Sequence, residues 1–238
     1  MARYDLYRGW FRTPRGAPAV VYLREGTNDF NTAQSCLTED EYGLRDRHIT
    51  GLALDIGGYL GTVAIAVLAD NPTARVICVE PVPENADLIE RNARANGVSE
   101  RLTLVRGAMG RAGESITVRY AYQGGENELH HAYVGNSTIT APEAEHSAIT
   151  YPATTLSDLT AEEDATWCKI DCEGGEYAAL DDPGVARSAH ITGEWHNVPF
   201  PDGTTGSQAH IRALLEPTHD VTFTGPVDGP GGFTAVRR

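Results

Sequence analysis

Two apolar segments, each tipped by an acid, constrain this chain more than any other feature. Leu52-Ala53-Leu54-Asp55-Ile56-Gly57-Gly58-Tyr59-Leu60-Gly61 reads as a short buried strand, an acid and a tight glycine turn. The alanine-rich stretch from about Gly61 to Ala69 reads as the helix that follows. Ala74-Arg75-Val76-Ile77-Cys78-Val79-Glu80 is a second such strand, and its acid stands 25 positions after Asp55. Open parallel sheets bind ligands in the crevice outside the carboxyl ends of their strands, so Asp55 and Glu80 belong to one site.

The glycines narrow the ligand. A dinucleotide fold needs G-x-G-x-x-G to bring backbone amides against a pyrophosphate. Here the pattern is Asp55-x-Gly57-x-x-x-Gly61, which excludes that ligand and disfavours a nicotinamide oxidoreductase. A carboxylate at Glu80 can accept bidentate hydrogen bonds from both hydroxyls of an adenosine ribose. A negative crevice also suits a cation. S-adenosylmethionine satisfies both demands, with a ribose, an ammonium, a sulfonium and no phosphate. The residues expected against it are Asp55, Gly57, Gly58, Tyr59 and Gly61 of the loop, Glu80 with Pro81, and Asp171 from the second half of the chain.

The 238 residues, 41% of them apolar, suffice for one full-sized core, and a single domain over 1–238 is expected. A formal charge of -14 argues against nucleic acid, whose phosphates need clustered Lys and Arg. A small-molecule acceptor is the expected partner, and homo-oligomerisation stays open. No run reaches the roughly 20 apolar residues of a membrane span. The start, Met1-Ala2-Arg3-Tyr4-Asp5, lacks a signal-peptide core. A cytoplasmic location without membrane partners is therefore expected. Cys36, Cys78, Cys168 and Cys172 form no C-x-x-C pair and read as reduced thiols. The chain has one lysine against 18 arginines, and it falls inside a motif, at Lys169.

Along the chain, residues 1 to about 50 read as a cap. Pro18 to Leu23 is an apolar run, and a helix through Ala33, Cys36 and Leu37 follows. Pro81-Val82-Pro83 leads into a helix with Leu88, Ile89, Asn92 and Ala93 on one face, ended by Gly97. Arg101 to Gly107 is a third strand. Ser115–Ala121 and Tyr133–Thr140 suggest a hairpin inserted near the active face, at about 114–140. The alternation resumes with a strand at Ala165–Asp171, a helix from about Glu173 to Leu180, a strand at Ala189–Trp195 and a helix near Ser207–Leu215. Val221–Thr224 and Phe233–Arg237, joined by a Pro/Gly loop, predict an antiparallel addition to an otherwise parallel sheet.

Chemistry concentrates in Lys169-Ile170-Asp171-Cys172-Glu173-Gly174-Gly175-Glu176 at the tip of the fourth parallel strand. Close acids raise one another's pKa, and a raised carboxylate is a better general base. Asp171 and Glu173 are catalytic candidates. Glu173 and Glu176 can alternatively complement a helix N-terminus. Glu194 and His196, two apart at the next strand end, share a side and should reach the same crevice. His196 is a base candidate by its ordinary pKa, or a satisfied polar group. His130-His131 line the pocket or face solvent. No metal is expected; the alternative is a divalent ion on Asp171, Glu173 and Glu194.

These motifs together resemble the FkbM family of S-adenosylmethionine-dependent methyltransferases. The likeness runs over roughly residues 24 to 196. It is carried by Arg24-Glu25-Gly26-Thr27-Asn28-Asp29, Glu41-Tyr42, Leu54-Asp55-Ile56-Gly57, Glu80-Pro81 with Pro83, Asn85, Asn92 and Asn96, Gly135-Asn136-Ser137, and Lys169 to Glu176. The resemblance implies an α/β, Rossmann-like class I methyltransferase fold. Its sheet would be mostly parallel and seven-stranded, with an antiparallel C-terminal strand, an N-terminal cap and the inserted β-hairpin. It further implies methyl transfer, typically to oxygen in antibiotic-type natural products or sugars. Carried over by position, Glu41, Tyr42, Asp55, Gly57, Glu80 and Asn136 are implied cofactor contacts. The family usually has alanine where this chain has Gly58, a change expected to be harmless. Asparagine is common there in place of Tyr59. A catalytically inactive cofactor-binding module, serving as scaffold or regulator, is the alternative of a different class.

Overall fold

A computed structural model describes residues 5–120, 147–200, 203–226 and 229–238. The chain opens with an antiparallel hairpin, β1 (Leu6–Arg12) and β2 (Pro18–Arg24), followed by α1 (Asp29–Gln34) and a π-helical turn over Ser35–Glu39. The core then runs through β3 (Gly51–Ile56), α2 (Thr62–Asp70), β4 (Ala74–Val79), α3 (Pro83–Ala95) and β5 (Leu102–Val105). Next come β6 (Ala108–Met109), β7 (Ser115–Tyr120), β8 (Ser147–Thr154) and α4 (Leu156–Leu159). The last part holds β9 (Ala165–Ile170), α5 (Glu176–Leu180), β10 (His190–Trp195), α6 (Gln208–Leu215), β11 (His219–Thr224) and β12 (Gly231–Arg237).

Seven strands form the central sheet in the order β5-β4-β3-β9-β10-β12-β11. β3 pairs in parallel with β4 and β9, β9 with β10, and β12 runs antiparallel between β10 and β11. This is the expected Rossmann-like sheet with its antiparallel C-terminal strand. The chain moves outward from β3 to β5, then returns to lay β9 on the other side of β3. Its topological switch point therefore lies between β3 and β9, where such sheets bind ligands. The pairing sets Asp55 opposite Lys169 and Ile56 opposite Ile170 at that point.

Both faces of the sheet are covered, so β3 and β9 read as almost unbroken apolar runs. Ala53 and Trp167 face a core shared with α2, α3 and the N-terminal hairpin. Leu54, Cys168 and Ile170 face a second core with Trp195, Ile211 and Phe233. In α2 every residue from Thr62 to Leu68 is buried, because the hairpin closes the side that would otherwise meet water. Asn92 of α3 and Asn96, which caps its C-terminal end, fasten that hairpin. Asn92 Oδ1 accepts from Tyr22 N–H (2.7 Å), and Asn96 both accepts from Val20 N–H (2.9 Å) and donates to Val20 C=O (2.7 Å). They satisfy backbone groups that an edge strand leaves open.

The structure differs from expectation in three places. β1 precedes the cap strand and carries no signal strong enough to have been read. β7 pairs with β8, residue Ser115 opposite Pro152 through Tyr120 opposite Ser147. The expected partner, Tyr133–Thr140, lies outside the described residues, as do His130, His131 and Asn136. Finally, α5 starts at Glu176, because Glu173 and Gly174 adopt positive φ (+55° and +105°) and cannot extend a helix N-terminally. No helix among the described residues is long and apolar enough to cross a membrane.

Candidate active site

At the switch point the tips of β3 and β9 approach too closely for a side chain. Gly57 has φ +82°, and a Cβ added there would lie 1.8 Å from the Asp171 carbonyl oxygen. Lys169 joins the same tips. Its buried ammonium donates to the carbonyls of Gly57 (2.6 Å), Ile56 (3.3 Å) and Asp171 (3.4 Å) and lies 3.6–3.7 Å from the Asp171 and Asp55 carboxylates. Burial alone would strip its proton, but Asp171 and Asp55 more than offset that and raise its pKa. The lone lysine is thus an internal cation.

A cavity of about 670 Å³ opens over these tips, within the usual range for small-ligand sites. Gly57, Gly58, Tyr59, Glu80 and Pro81 form one side. Glu41, Tyr42, Asp171, Glu173 and Glu194 form another. Glu80 is buried, and its carboxylate accepts from Tyr59 N–H (2.8 Å), Val82 N–H (2.8 Å) and Asn85 Nδ2–H (3.2 Å). A carboxylate offers about four acceptor positions. The free one is on Oε2, so the acid is partly filled rather than the open bidentate acceptor expected from the sequence. Burial raises Glu80 to about 7, the three donors working against it.

Asp55 and Gly61, expected as cofactor contacts, do not line the cavity. Asp55 Oδ2 accepts from Ala64 N–H (3.1 Å), the third residue of α2, and so caps the helix behind the loop. Its Oδ1 is buried without a hydrogen bond, facing only Lys169. Gly61 takes φ +75° at the start of α2 and backs on Ile89. Both serve the loop's shape.

Gly58 is not a harmless replacement for alanine. A Cβ there would lie 2.2 Å from Cys78 Sγ and 2.9 Å from Ile89 Cδ1. The Cys78 thiol is fully buried and fills the space that alanine would need. Gly58→Ala is therefore expected to destabilise the protein by about 1–3 kcal/mol, as overpacking does. Thermal unfolding in a Cys78→Ala background should recover part of that loss. Tyr59 occupies the left-handed region (φ +49°), which explains why asparagine suits the position. Its ring turns toward the N-terminal arm, where the hydroxyl donates to Asp29 Oδ1 at 2.6 Å.

The acids predicted at the strand ends do converge, in distinct states. Asp171 Oδ2 accepts from Tyr42 O–H (2.9 Å) and faces Lys169. Burial raises Glu194 to about 7, with Asp171 and then Glu41 adding to it. Burial likewise raises Glu173 to about 7; His196 opposes this and Asp171 adds to it. Glu41, which accepts from the Cys36 thiol at 3.6 Å, is also raised, by desolvation first. His196 does not line the cavity. Its Nδ1 lies 3.1 Å from Glu176 Oε1 and its Nε2 3.5 Å from Glu173 Oε2. Burial would lower its pKa, yet the Glu176 hydrogen bond and charge, with Glu173 and Asp171, carry it to about 9. The imidazole holds its proton at pH 7 and is a poor base there. Glu176, wholly buried, also accepts from Gly174 N–H (2.7 Å) and His196 N–H (2.8 Å), and so ties β10 to the loop before α5.

Asp171, Glu173 and His196 present ligand atoms within 4.8 Å of one another, so they, rather than a set with Glu194, are the group able to hold a cation. Sequence reasoning missed part of the lining. Asn28, Asn31 and Thr32 arrive from the cap, and Met109 from the short β6 between Gly107 and Gly110. Local pattern carries no signal for them, since only the docking of separate elements brings them over the cavity.

The methyltransferase FkbM domain matches residues 55–223, most of the chain. No curated protein matches the sequence. Among solved structures, this chain is similar to precorrin-6y C5,15-methyltransferase from Geobacter metallireducens, at 16% identity, 84% and 87% coverage of the two chains and a TM-score of 0.47. An O-methyltransferase from Bacillus cereus in complex with SAH gives 16% identity, 79% and 74% coverage and a TM-score of 0.42. TrmK of M. capricolum with S-adenosyl-homocysteine gives 8%, 84% and 68%, and 0.48. With the strand order and switch-point cavity above, the domain match places the chain in the FkbM family of class I, S-adenosylmethionine-dependent methyltransferases.

Proposed function

We propose that the protein methylates a hydroxyl oxygen of a small molecule, a natural product or sugar of secondary metabolism, with Glu194 as general base. The observation that supports this most is a cavity-lining carboxylate raised to about 7 by burial, with Asp171 and Glu41 nearby. An aliphatic hydroxyl is too weak an acid to ionise alone at neutral pH. A base of matched pKa takes its proton as the oxygen attacks the methyl carbon. The carbon–sulfur bond breaks, and the sulfonium leaves as a neutral thioether. Holding oxygen, carbon and sulfur in line supplies much of the acceleration. Protonated His196 tempers the negative charge around Glu173, and the Tyr42 hydroxyl fixes Asp171.

A direct test incubates the purified protein with S-adenosylmethionine and a panel of hydroxylated natural products and sugars, and follows product mass. Transfer to oxygen supports the reading. Cofactor binding without transfer to any acceptor favours the non-catalytic module. A carboxylate base also predicts that turnover survives EDTA. Activity lost to EDTA and restored by Mg²⁺ or Mn²⁺ would instead assign the ionisation to a cation on Asp171, Glu173 and His196.

A further inference from the structure

The motif Arg24 to Asp29 lies outside the central sheet, yet it joins Glu80 through a closed ring of hydrogen bonds, buried on the Arg24 side and part-buried at Tyr59. Arg24 donates to Asp29 through Nε (2.9 Å) and Nη2 (2.8 Å), a bidentate pair whose side chains are 3% and 0% exposed. Arg24 Nη1 donates to Asn85 Oδ1 (2.9 Å), and Asn85 Nδ2 donates to Glu80 Oε1 (3.2 Å). On the other side, Tyr59 O–H donates to Asp29 Oδ1 (2.6 Å), while Tyr59 N–H donates to Glu80 Oε2 (2.8 Å). Both oxygens of Glu80 are thus held, each by one arm of the ring. The Arg24 guanidinium also lies 5.2 Å from the centre of the Tyr59 ring.

A buried ion pair is weak evidence for stability, since well-packed apolar residues often do as well. What apolar residues cannot do is orient a carboxylate. We propose that Arg24 and Asp29 are positioning residues for the cofactor, holding Glu80 through Asn85 and Tyr59 in the orientation that receives the ribose. The same ring fixes the start of α1, where the N-cap residue Asn28 and the helix residues Asn31 and Thr32 line the cavity. Cofactor site and cap wall are set by one device. This rests on reading Glu80 as the ribose acid.

The test is calorimetric titration of the full chain with S-adenosylmethionine from pH 5.5 to 9, with thermal unfolding as a check on folding. The other groups that sense Glu80 are Lys169, Cys78 and Tyr151, and all stay in place. Glu80→Gln is expected to lose binding at every pH. Folded Asn85→Ala removes one of three donors to Glu80, so its affinity should fall about tenfold at pH 7. The pH midpoint of binding should rise by about half a unit, a shift that a purely structural role would not cause. Tyr59→Phe and Asp29→Asn should weaken binding by at least about threefold and shift its pH midpoint in the same direction as Asn85→Ala. If Asn85→Ala does not fold, Tyr59→Phe decides alone. Wild-type affinity and midpoint in the folded variants, with binding lost in Glu80→Gln, overturn the ring. Wild-type binding in Glu80→Gln overturns the ribose assignment, and the proposal with it.

Discussion

Replacing Glu80 with alanine is expected to abolish measurable S-adenosylmethionine binding while leaving the protein folded. A hydrogen bond to a charged group contributes about 1.5–3 kcal/mol, and Glu80 has one acceptor position left; alanine also deprives Tyr59 N–H, Val82 N–H and Asn85 of the acceptor that shapes the loop, so the affinity loss is at least on the order of 10 to 10². The contact is also pH-dependent. Glu80 is ordinarily ionised above 4.5, but burial holds its folded value at about 7. Between those values the folded protein keeps a proton that the unfolded chain has lost. Stability present below 4.5 is therefore lost as pH rises through 7. Glu173 and Glu194, raised in the same direction, act alike. Tm of the unliganded protein should fall between pH 5 and 8. Cofactor affinity should move oppositely, strengthening up to about pH 7 as the acceptor ionises. A Tm that rises over this window, or an affinity indifferent to it, would contradict Glu80 as the titrating acid.

The site was legible wherever chemistry is written into a strand end. Glu80, Asp171, Glu173 and Glu194 come together because consecutive parallel strands place their carboxyl ends in one crevice, a rule that needs only strand order. Gly57 was legible for the same reason. The misreadings share a cause as well. Asp55 and Gly61 look like ligand contacts in a linear motif, but the motif must also start α2, and those two residues do that work. Gly58 depends on Cys78, a neighbour from the next strand that no local pattern announces. His196 has the ordinary pKa of a base, and only its contact with the buried Glu176 shows that it stays protonated. The sequence shows residues 1 to about 50 only as a cap, and no local pattern announces that Asn92 and Asn96 bind its backbone into the core.

With His196 held protonated by Glu176, Glu194 is the proposed base, and the second large effect follows from that proposal. Glu194→Gln keeps the shape of the β10 tip and removes the base, so kcat should fall by about 10² to 10⁴ with little change in cofactor affinity. The wild-type rate should climb with pH to a plateau, with its midpoint near 7, and that limb should vanish in the variant. Asp171→Asn tests a different role. It disturbs the Tyr42 and Lys169 contacts, and should lower turnover while keeping the limb. His196→Gln should be milder still, because a group with a pKa of about 9 does not set a midpoint near 7. Should the limb persist in Glu194→Gln and vanish in Glu173→Gln, the base is Glu173, 3.5 Å from His196 Nε2 and raised to the same value. A limb that persists in both places the proton acceptor outside this pair of glutamates.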